Sequence, residues 1–207
     1  MKKRTIVSIL CLIAVLALAV APAVAYYSAK STQKSNTFSI SKGEKEEEDK
    51  ALLSETLWVD GLKNLQPGQI LPKNPVVTSK VDYDARAYLG VAVPQVEGTL
   101  EDDTKSTITD VAYIRDIGEN WTLIETIPGD KNTPELQVYS YGIVLKNGES
   151  TSAAFNNIEI PDFRKFSDNT MKSIDVQGYL IQSEFIDEAE AKSEAIAFFE
   201  KELLGND

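Results

Sequence analysis

The chain has 207 residues, with 32 acidic side chains against 21 basic ones, a net charge of −11, one cysteine and no histidine. An acidic surface disfavours nucleic acid and anionic lipid, because binding either depends on cations that displace counterions. The missing histidine removes the commonest general base, the usual zinc ligand and the usual partner of a serine or cysteine nucleophile. Paired carboxylates, a lysine-activated serine or an oxygen-liganded metal remain, but the sequence has no HExxH, GxSxG, phosphate-cradling glycine loop or EF-hand spacing. A non-catalytic role is therefore expected.

The first 25 residues have the pattern of a secretory signal. Lys2, Lys3 and Arg4 form a basic start, and Ile6 to Ala21 runs without a charge. That stretch is shorter than the roughly 20 residues a spanning helix needs. Pro22 breaks it, and Ala23-Val24-Ala25 offers small side chains for cleavage before Tyr26. The alternative is an uncleaved anchor. Cleavage leaves 18 basic against 32 acidic side chains, a net of −14, and removes the only cysteine, Cys11. Leu10 before it does not fit a lipoprotein signal. The expected product is secreted, extracellular or on the cell surface, has no stable membrane anchor after cleavage, and is held together without disulfides. Exported domains of this composition are common in Gram-positive bacteria.

Residues 26–54 read as a polar, solvated arm, with a charge run from Glu44 to Lys50. Within it Asn36, Thr37, Phe38, Ser39 and Ile40 alternate as a short strand does. Residues 55–207 read as one β-sandwich domain. Leu57 to Val59 and Pro75 to Thr78 are short apolar stretches, separated by the Pro67-Gly68 turn. Ala85 to Val93 is the clearest strand, with Ala87, Leu89, Val91 and Val93 on one face, Arg86 and Tyr88 on the other, and Pro94 as its end. Glu101, Asp102 and Asp103 form an acidic loop that is a candidate calcium site, although a solvated loop explains them more simply, as it does Glu44 to Asp49. Thr107 to Ile114, Trp121 to Ile127, Leu136 to Leu145, Thr151 to Ile160 and Ser173 to Phe185 are further strands, with an Asn147-Gly148 hairpin signal. Strands and turns at this spacing indicate a sandwich or barrel. Asp187 to Leu204 then reads as one amphipathic helix. Asp187 and Glu190 resemble a capping box, Ala191, Ala195, Phe198 and Phe199 recur at helical spacing, and Gly205 is the stop.

Three stretches together resemble the TasA and camelysin family, whose members are exported through the signal peptidase SipW. They are Ala23 to Tyr27 with Asn36-Thr37-Phe38; Leu65 to Thr78 with Asp84 to Tyr88; and Ile174 to Glu184. Asn74 and Ser79 depart from the family pattern. The resemblance implies a jelly-roll-like antiparallel β-sandwich and an extracellular matrix or biofilm fibre subunit. It also implies that an N-terminal strand of one subunit completes the sheet of the next, with Phe38 and Ile40 as anchors; the alternative is that the arm pairs with its own domain. Leu71 to Pro75 superficially resembles a sortase signal but lacks the Thr-Gly step. The expected partners are another copy or another matrix protein, with the signal peptidase engaged only during export, and no cofactor is expected apart from the calcium candidate. The alternatives are a surface module for a carbohydrate or host ligand, with Tyr83, Tyr88, Trp121, Tyr139 and Tyr141 as stacking faces, and a metal-dependent peptidase of camelysin type.

Overall fold

In the computed structural model, the described residues are 28–30, 34–36, 50–58, 66–100, 106–166 and 173–205. The chain is mostly β, its strand pairs are antiparallel, and it ends in one helix. The arrangement is sandwich-like rather than a closed barrel. The main sheet runs in the order β1 (Ser28–Lys30), β14 (Ile174–Gln182), β6 (Ala85–Val93), β11 (Glu135–Tyr141), β10 (Trp121–Ile127). A further strand, β2 (Lys34–Asn36), also lies on β14. Three small sheets pair β4 (Ile70–Pro72), β12 (Phe155–Glu159) and β9 (Tyr113–Ile117); β13 (Phe163–Phe166), β7 (Gln95–Leu100) and β8 (Ser106–Asp110); and β3 (Ala51–Glu55) with β5 (Pro75–Ser79).

The alternation along β6 decides the layering. Ala87, Leu89, Val91 and Val93 enter one core cluster, with Val176 and Leu180 of β14, Phe155 and Ile158 of β12, and Ala51 and Leu53 of β3. This core thus begins within the polar 26–54 segment. Arg86 and Tyr88 lie on the opposite face, which is covered. Helix α1 (Glu188–Leu204) lies there, and Tyr88 is fully buried with Tyr179, Ile181, Ala191, Ala195 and Phe199. Gly90 makes the close seat possible, since a Cβ at that position would sit 2.5 Å from the Phe199 ring. The Asp187 side chain accepts from the Glu190 N–H at 2.8 Å, while Gly205 takes the left-handed conformation (φ 69°) and returns its N–H to Lys201. Both caps follow from the local sequence.

Several strand bounds differ from the sequence expectation. Residues 107–114 divide between β8 and β9 in different sheets. The chain bends at Val111, whose N–H bonds the Pro94 carbonyl, and the bend buries Ala112. Pro94 ends β6, but β7 starts at the next residue, so the proline acts as a corner between sheets. Leu57 and Trp58 follow a strand instead of forming one; the strand is Ala51–Glu55, set opposite Ser79 through Pro75. β11 stops at Tyr141, beyond which Leu145 makes only an isolated bridge to Ala85.

Candidate functional site

β14 is the element around which the candidate site is built. On one side it pairs with β6 from Asp175 opposite Ala92 to Gln182 opposite Ala85. Its other edge carries the N-terminal arm in two short pieces. Ser28, Ala29 and Lys30 lie opposite Ile181, Leu180 and Tyr179, while Lys34, Ser35 and Asn36 lie opposite Val176, Asp175 and Ile174. The arm therefore forms the outer edge of the main sheet in its own chain. An extended segment at such an edge satisfies backbone N–H and C=O groups that would otherwise face water or another chain.

Ser173 and Asp175 at the start of β14 also border a cavity of about 310 Å³, which Gln95, Asp130, Asn132 and Thr133 help to line. Asp130 accepts from the Asn132 and Thr133 N–H groups at 2.7 and 2.8 Å, and these bonds hold its carboxyl below the usual range. Beside the cavity, burial pushes the Asp110 carboxyl up to about 6, the Glu135 charge adds to the rise, and a hydrogen bond donated by Gln95 opposes it. Gln137 donates to Glu135 at 2.7 Å, and the Tyr139 hydroxyl donates to Gln137 at 2.5 Å. These carboxylates brace backbone and neighbouring amides. Among the described residues no group of three or more His, Cys, Asp or Glu side chains is placed to hold a metal ion.

Asn36 lies in β2, opposite Ile174. Thr37, Phe38 and Ile40 of the expected donor strand, Ala23, Ala25 and Tyr26 of the expected cleavage site, and Glu101, Asp102 and Asp103 of the calcium candidate lie outside the described residues. Among the described residues no helix is long and apolar enough to cross a membrane. Of the aromatic residues named as stacking faces, three are buried and two are partly buried. Tyr88, Trp121 and Tyr139 are buried, and Tyr83 and Tyr141 pack against the first cluster. Burial, with Asp82 as a lesser cause, pushes the Tyr83 hydroxyl up to about 12. The period-2 pattern that marked Tyr88, Trp121, Tyr139 and Tyr141 as strand positions carries no information about whether a layer covers them.

The sequence reading assigned no role to Lys73, which sits between β4 and β5. Its side chain is fully buried, 2.6 Å from Glu55, whose side chain is 2% exposed. The Lys73 nitrogen lies 4.7 Å from the centre of the Trp58 ring. No family model matches the chain, and comparison with curated proteins and with solved structures finds no match.

Proposed function

We propose that the chain is an exported, non-catalytic structural subunit of the cell surface or extracellular matrix, which self-associates by passing its N-terminal arm to the β14 edge of another copy. The single observation that carries this reading is the seating of the arm on that edge in two three-residue strands. Each ladder hydrogen bond contributes about 1 kcal/mol net, while ordering each arm residue costs about 1–2 kcal/mol. Such short strands are therefore held only marginally by backbone pairing. Exchange between copies replaces the same contacts, so concentration rather than contact energy decides which copy supplies the arm. The resemblance to TasA and camelysin, and the signal-like first 25 residues, support export and a matrix role.

The test compares residues 26–207 with a version lacking residues 26–42, by sedimentation across a wide concentration range. Assembly of the first and not the second is expected. A monomer at every concentration for both would remove the support for arm exchange.

A further inference from the structure

We propose that Lys73 and Glu55 condense to an intramolecular amide, a covalent tie between the first core strand and the link joining β4 to β5. Glu55 ends β3 opposite Pro75, and the Lys73 backbone N–H bonds the Asn156 carbonyl at 3.0 Å. Their side chains meet at 2.6 Å, one fully buried and the other 2% exposed, with Trp58 packed against the core beside them. Two full charges in such a place are unfavourable even when paired. Condensation replaces them with one neutral group.

The atoms balance without a further reactant. The ammonium passes one proton to the carboxylate, leaving an amine and a carboxylic acid. The Lys73 Nζ lone pair attacks Glu55 Cδ, a Cδ–O bond breaks, and the hydroxyl leaves with a second amine proton as one water. Holding the two groups in contact acts as an effective concentration on the order of 10⁵ to 10⁸ M and speeds the attack. Burial of the pair also keeps bulk water from the amide once it has formed. The only cysteine is Cys11, so no disulfide within 26–207 can make such a tie.

The test is the intact mass of denatured 26–207 after folding. The expected result is a protein lighter than its sequence mass by one water, with a tryptic fragment joining the Lys73 and Glu55 peptides. Glu55→Ala and Lys73→Met are each expected to keep their full sequence mass. The full sequence mass in the folded wild type overturns the proposal, as does a water loss that survives in Lys73→Met. The outcome is independent of whether the arm assembles.

Discussion

The helix and the arm are both additions to the same main sheet, yet they are held by different physics. Helix α1 lies on the face of the sheet and is held by side chains. Phe199, Ala191 and Ala195 are buried, and Phe198 stacks on Tyr179 with ring centres 3.9 Å apart and planes within 5°. The Tyr179 hydroxyl donates to Glu194 at 2.8 Å, so one sheet residue anchors the helix through both its ring and its polar tip. The arm lies along the edge, held by a backbone ladder. Side-chain burial is specific to one partner surface, whereas a ladder accepts any strand of suitable length. The proposed exchange rests on this contrast, since it requires an arm held by pairing that another copy can reproduce.

The largest expected effect comes from emptying the helix seat. Phe199→Ala should cost about 3–5 kcal/mol by chemical denaturation, with a lower Tm and helix signal lost before or with the sheet. A loss below about 1 kcal/mol would mean that the helix is not part of the cooperative core.

Acid separates the regions next. Asp110 binds protons more tightly folded than unfolded, so its carboxylate weakens the fold above pH 6, and that cost disappears as pH falls from 6 towards 4. Asp110→Asn should therefore stabilise the protein at pH 7 by on the order of 1 kcal/mol, a figure discounted for partial solvent access. The gain should shrink at pH 5, as a pair of denaturation curves would show. At the helix start the sign is opposite. The Lys192 side chain, 2.6 Å from Glu188, holds that carboxyl below its usual range, so its small contribution is present near neutral pH and lost in acid.

Asp187→Ala removes the helix cap and should cost about 0.5–2 kcal/mol, visible as a lower Tm without any change in assembly. Ser35→Pro tests the arm. It removes one backbone donor opposite Asp175 and should shift monomer stability by less than about 1 kcal/mol. If assembly runs through the arm, sedimentation should nevertheless show it reduced in this variant. Unchanged assembly would separate the two regions less sharply than their contacts suggest.

The legible parts of the fold were those written in local pattern. Ala85–Val93 and Trp121–Ile127 have the expected ends, because each is bounded by a proline, Pro94 in one case and Pro128 in the other, even though the register of the second shifts between Leu123 and Glu125. The helix was legible from Asp187, Glu190 and Gly205, whose bonds close within four residues. The division of 107–114 was not legible, since the bend at Val111 depends on the Pro94 carbonyl at the corner between β6 and β7. The candidate site was legible only as an arm with a strand-like stretch. Its seat on β14 joins residues about 150 positions apart, and loop closure over that distance leaves no local periodicity to read.

By itself the sequence determined the class: an acidic, histidine-free chain of alternating strands ending in a capped helix. Periodicity and caps are short-range physics, expressed within one element. Tertiary structure alone decided which strands share a sheet, that both faces of β6 are covered, and that Tyr88 and Lys73 are buried. Those outcomes depend on what packs against each residue, and the packing partners come from distant parts of the chain.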